Sequence, residues 1–174
     1  MHTYEPLWSA SGDDRGPSIQ DLRFADALDV VAYAQHNIII GHATWPEVWH
    51  LDDEGVLGCY FKASSFDSIR GWAEDPTDLR VSRDEGLATG GCPNRWLIIE
   101  SRPASMYPTE VIDERDVEAF VGLRASLAEL DIVLVDAMVF DDKCHWWSLH
   151  ELTSGTTRWA TSGPQEIASS EGRS

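Results

Sequence analysis

Three groups of side chains in this chain have the types and spacing to do chemistry. Glu100 and Arg102 close an apolar run, Trp96-Leu-Ile-Ile, and Asp113 and Asp116 stand at the head of the amphipathic segment that follows. An arginine between carboxylates can pair with them and satisfy charges that a fold buries. Equally, Asp113 can cap the next helix and Asp116 can sit on its N-terminal dipole, leaving Arg102 in solvent. His42, His50, His145 and His150, with Cys59 or Cys144, have the donor types for a metal site assembled across a sheet. The only close donor pair among them is Cys144-His145, so structural histidines are the simpler reading. Cys92, in Gly90-Gly-Cys-Pro, has the setting of an exposed nucleophile, but no base stands beside it in sequence, which favours a loop thiol.

These residues need elements to hold them. Trp96-Leu-Ile-Ile predicts a buried strand, and Val117, Phe120, Val121, Leu127 and Leu130 place one apolar face on the helix after it. Ile132-Val-Leu-Val predicts a second buried strand, Asp141-Asp142 a turn, and Trp146, Trp147 and Leu149 an aromatic strand that forms an edge. Upstream, Glu47–Leu51 and Val56–Lys62 flank Asp52-Asp-Glu-Gly, whose Gly55 can take the positive φ of a hairpin loop. Ser18 with Asp21 offers a capping box for a first helix with Ile19, Leu22, Leu28 and Val31 on its apolar stripe, ending near Gln35. Ile38-Ile-Ile-Gly reads equally as a buried strand or a helix exit. Phe66–Ala73 predicts a short helix, and Glu74–Asn94, rich in Asp, Gly and Pro, an extended, mobile insertion. The expected architecture is α/β: a single domain over residues 18–160, with a mixed central β-sheet flanked by helices, a loose segment at 1–17 and a polar tail at 161–174.

Composition narrows the function classes. In 174 residues there are 30 acidic and 13 basic side chains, a formal charge of −17, with Lys62 and Lys143 the only lysines. That surface repels phosphate backbones, so direct nucleic-acid binding is not expected; a protein partner is, of basic or nucleic-acid-binding character. The acidity reads either as a solvated surface or as a decoy that imitates DNA. No apolar run approaches the ~20 residues of a membrane span, and Met1-His-Thr-Tyr-Glu-Pro lacks the character of a secretory signal, so a cytoplasmic protein without membrane contact is expected. Three widely spaced cysteines signal no disulfide framework. The acidic loop Asp52, Asp53 and Glu54 and the pair Trp146 and Trp147, which point to opposite faces of a shared strand, are the candidate interface.

Over roughly residues 44–150 the order of elements resembles the JAB/MPN metalloprotease family, most closely its bacterial RadC-like branch. Leu51-Asp52 resembles the family's hairpin Leu-Asp pair. Ile98-Ile-Glu-Ser-Arg-Pro-Ala-Ser resembles the strand running into His-x-His-Pro-Ser-Gly, Asp113-Glu-Arg-Asp116 the Ser-x-x-Asp helix start, and Leu134-Val-Asp-Ala-Met-Val-Phe-Asp-Asp the last strand and its turn. The resemblance implies a zinc hydrolase fold, and the substitutions imply a degenerate one. Glu100 and Arg102 stand where the family has its two zinc histidines, Asp113 replaces the loop serine, Ala137 replaces the histidine of Leu-Asp-His, and only Asp116 persists as a ligand type. The general-base glutamate would fall near Thr44, with Glu47 the nearest carboxylate. A catalytic zinc needs three protein ligands and an open position, and a guanidinium repels a cation beside it. The expectation is therefore a pseudoenzyme that holds no cofactor and works through protein binding, as an accessory or acidic antagonist of a mobile element or defence system. The alternative is a metal-dependent hydrolase with a rebuilt site.

Overall fold

Both faces of the same strands are apolar, and this fixes the architecture: a sheet buried on both sides must be covered by helices on both sides. A computed structural model describes residues 1–3, 23–36, 46–62, 69–88, 93–103 and 110–160. They form one domain of the α/β class with a mixed sheet. The strands are β1 (His2–Thr3), β2 (Glu47–Leu51), β3 (Leu57–Lys62), β4 (Arg95–Ser101), β5 (Val133–Phe140) and β6 (His145–Ser148). The helices are α1 (Ala27–His36), α2 (Ile69–Glu74), α3 (Thr77–Ala88), α4 (Glu114–Ala128) and α5 (Leu149–Ser154).

The sheet order is β1-β6-β5-β4-β2-β3. Only β4 and β5 are parallel, and α4 makes the crossover between them. Alternating side chains divide the core in two. Phe24, Ala27, Val30, Val31 and Ala34 of the α1 segment pack with Trp49, Leu51, Leu97, Met138, Trp146 and Trp159 on one face. Ile69, Trp72 and Leu79 of α2 and α3 and Phe120, Leu123 and Leu127 of α4 pack with Val48, Trp96, Ile98 and Ala137 on the other.

The hairpin and the β4-α4-β5-β6 series stand where the sequence predicts them, and Gly55 takes φ +81. A Cβ at Gly55 would lie 2.4 Å from the Phe24 carbonyl oxygen, so the loop needs glycine for space as well as for φ. Four expectations need correction. The insertion predicted for Glu74–Asn94 contains α3: just ahead of it Asp75 accepts from the Thr77 amide at 3.1 Å, the Pro76 carbonyl accepts from the Arg80 amide at 3.0 Å, and Leu79 is fully buried. Among the described residues the first helix begins at Ala27 and does not run through residues 23–26, because Arg23 and Phe24 are drawn into extended pairing with Val56 and Gly55. Its capping box is Asp26 with Asp29, with the Asp29 amide donating to Asp26 at 3.1 Å and the Asp26 amide donating back at 3.3 Å. β6 is not an edge: His2 and Thr3, assigned to a loose lead-in, form a short strand outside it. Finally, Arg102 is 1% exposed, not in solvent. Ser18, Asp21, Ile38–Ile40 and the tail from 161 lie outside the described residues.

Candidate functional site

A buried ion network closes the C-terminal end of β4. Glu100 alternates with Ile98 and so faces the α2/α4 layer, and the chain leaves the strand with the Arg102 amide donating to the Phe140 carbonyl at 2.7 Å. That bond carries Arg102 back over Glu100. Its Nε donates to Glu100 Oε1 at 2.7 Å and its Nη2 to Oε2 at 3.2 Å, a two-point grip, while Nη1 reaches Asp116 Oδ1 and the Val111 carbonyl, each at 2.9 Å.

Asp116 is delivered by α4. Asp113 is the N-cap and Asp116 the N3 residue of a capping box, so the helix-cap part of one sequence reading holds together with the pairing of the other: the pair caps the helix, and Asp116 also meets a buried arginine. A second arginine, which sequence reasoning missed, completes the cluster. Arg70 of α2 donates from Nε to Asp116 Oδ1 and from Nη2 to Asp116 Oδ2, both at 2.8 Å, and from Nη2 to Asp113 at 2.9 Å. The α2 backbone joins through the Ile69 amide, which donates to Glu100 at 3.3 Å.

Electrostatics follow from this geometry. Burial works against the Arg102 charge, but Glu100 and Asp116 more than offset it and hold its pKa above the ordinary guanidinium value. Burial likewise raises the Asp116 carboxyl, yet Arg70, the Asp113 amide and Arg102 together bring it below the usual aspartate range. All four carboxylate oxygens of Glu100 and Asp116 thus accept from guanidinium or amide groups. The zinc implied by the resemblance does not fit these residues. A metal would have to displace two arginines, and neither can ligate it. Glu47 offers no substitute base: it shares the opposite face of β2 with Trp49, whose indole donates to it at 3.0 Å.

Another buried carboxylate, apart from the ion network and also missed, lies on the α1 face of β5. Asp136 is fully buried and accepts from the Ser148 hydroxyl at 2.6 Å, the Ala137 amide at 2.7 Å, the His150 amide at 2.9 Å and the Trp159 indole at 3.1 Å. Ser, His and Asp meet here without forming a catalytic set. His150 contributes its backbone to Asp136 and turns Nε2 to the Arg158 carbonyl at 3.0 Å, while the Ser148 hydroxyl caps α5 by accepting from Glu151. Burial pushes the Asp136 carboxyl up, against the pull of its donors. A carboxylate in the middle of an apolar strand was the available sequence signal.

The remaining candidates disperse. His50 stacks on Trp96 with centroids 4.6 Å apart, and His145 pairs with Asp141 at 2.8 Å. Among the described residues no three His, Cys, Asp or Glu side chains converge as a ligand set. His42, Thr44 and Cys92 lie outside them. Asp52 is committed to its own loop, accepting from Glu54 and Val56, whereas Asp53 and Glu54 are exposed. Trp146 is in the core beneath the His2 ring, centroids 4.3 Å apart, and Trp147 is half-buried on the other side. Among the described residues no helix is long and apolar enough to cross a membrane. No protein-family model matches the chain, and no curated protein matches it significantly.

Proposed function

We propose that this chain is a catalytically degenerate relative of the RadC-like branch of the JAB/MPN family that acts by binding a macromolecular partner. The supporting observation is the saturation of Glu100 and Asp116 by Arg102 and Arg70 at the positions where the resemblance puts the metal centre. Every acceptor there has a cationic or amide donor, so the end of β4 serves to fix α2 and α4 and presents no open coordination position or nucleophile. Function then moves to the surface of a chain whose formal charge of −17 suits a basic or nucleic-acid-binding protein. In this reading the charge sets encounter rate and orientation, and the exposed Asp53 and Glu54 at the hairpin tip belong to that field. A DNA-mimicking antagonist of a mobile element or defence system is the form of this reading that the acidity favours.

The test is capture of partners from a cell extract at low and high salt, with duplex DNA added as competitor. The expected result is a basic partner that is lost as salt rises and displaced by DNA, with slower association after Asp53→Asn and Glu54→Gln. Partners held equally at both salt concentrations, without competition from DNA, would remove the mimic reading.

A further inference from the structure

The β6 side of the sheet is closed by a strand of two residues, and the hold of that strand is polar. β1 pairs antiparallel with β6, His2 opposite Trp146 and Thr3 opposite His145. Two paired residues are less than an ordinary strand, so side chains must supply much of the attachment. The His2 ring lies on the Trp146 indole, centroids 4.3 Å and planes 21° apart, and its Nε2 bonds Glu151 Oε2 of α5 at 2.8 Å. Beneath it Trp146, a candidate interface residue from the sequence, is 3% exposed. One side chain therefore both covers Trp146 and ties β1 to α5.

Both contacts of His2 depend on its charge. With an imidazolium the bond to Glu151 becomes an ion pair and the stack on Trp146 a cation–π contact; with a neutral ring each is weaker. An imidazole is the side chain whose charge changes between about pH 5 and 8. The other titratable groups of β6 and α5 are engaged elsewhere. His145 lies on the opposite face of β6 from Trp146 and bonds Asp141 at 2.8 Å, and His150 turns Nε2 to the Arg158 carbonyl at 3.0 Å. Asp136, on the Trp146 face of the sheet, is enclosed by Ser148 and Trp159, and Met1 is exposed. With side chains 44% and 27% exposed, the His2–Glu151 pair is weak. Weakness suits a switch, because a severalfold change in a marginal docking equilibrium moves a visible share of the molecules.

We propose that His2–Thr3 is a proton-dependent latch on β6. Charged His2 holds β1 on Trp146 and Glu151 at mildly acidic pH; as pH rises and the proton leaves, β1 loosens and uncovers the Trp146 ring and the backbone edge of β6. The latch shares no residue with the Glu100–Arg102–Asp116 network, so it stands or falls separately from the pseudoenzyme reading.

Tryptophan emission and the NMR signal of the Trp146 indole N–H, followed on the full chain from about pH 5.5 to about pH 8, read the opening. Docking should weaken about two- to fivefold over that range, seen as a red shift of emission and a move of the Trp146 signal toward its position in His2→Ala. Glu151→Gln keeps a bonding partner for His2 without the charge and should flatten most of this response. His2→Phe keeps a ring on Trp146 without a proton and should abolish it. A Trp146 signal that stays constant across the range overturns the proposal. So does a response of the parent's size in either variant, which would assign the titration to His145 or Asp136.

Discussion

Two buried carboxylates, on opposite faces of one sheet, are solved in different ways. Asp116 is neutralised by full charges, with Arg70 and Arg102 gripping it from α2 and from the end of β4. Asp136 meets only neutral donors, from Ser148, Ala137, His150 and Trp159. Ion pairing suits a junction where separate elements must be held in one arrangement, since each charge enforces the position of the other. Neutral donors suit a terminus, because they fix the chain from Ser148 to Trp159 without placing a second charge in the core. The difference also sets opposite responses to acid.

The largest effect is expected where removal of one charge strands two others. Arg102→Met leaves Glu100 and the inner side of Asp116 buried without their cation and should cost about 3–5 kcal/mol of stability, read by chemical denaturation. A loss below about 1 kcal/mol would mean that the network is hydrated and weak. Asp136→Asn should cost less, about 1–3 kcal/mol, because the amide retains one acceptor but turns an N–H₂ toward existing donors.

The pH dependence sharpens the comparison. The folded pKa of Asp116 is depressed, so the advantage of the parent over Asp116→Asn is fully present above the ordinary aspartate value of 3.8 and is lost as pH falls through the folded value. The folded pKa of Asp136 is raised, so the native state holds the extra proton. Relative to Asp136→Asn, the parent should gain stability as pH falls from neutral toward 3.8. Denaturation series from neutral pH to below 3.8 should show the Asp136 difference growing above 3.8 and the Asp116 difference shrinking below it; parallel curves throughout would refute the distinction between the two sites.

How much of this was legible in sequence depended on the range of the interaction. The hairpin could be read because Gly55 and its flanking apolar runs are local signals, and the β4-α4-β5-β6 series because its periodicities are long. Asp113 could be read as a helix cap and Asp116 as a first-turn acid, but that the two close a capping box shows only in the structure. Arg70 gave no such notice: it reaches Asp116 across 46 positions, and only the packing of α2 on α4 brings them together. α3 was hidden by its own start signals, since Asp75-Pro76 serves equally as turn punctuation and as the lead-in whose side-chain and carbonyl oxygens accept the first amides of a helix. β1 was beyond reach because two residues carry no period, and their place depends on His2 meeting Trp146 and Glu151.

That last contact gives the smallest predicted effect. His2 is half-exposed and bonds Glu151 at 2.8 Å, so His2→Ala should cost less than about 1 kcal/mol. It should nevertheless uncover Trp146 and shift tryptophan emission to the red; unchanged emission would show that β1 does not shield the ring.

The proposed function has Arg70 and Arg102 standing where a metal would, and zinc titration followed by calorimetry tests that most directly. Purified protein should show no stoichiometric zinc uptake dependent on Glu100 or Asp116, and chelator should leave its melting temperature unchanged. Tight one-to-one zinc binding, abolished by Asp116→Asn, would contradict it.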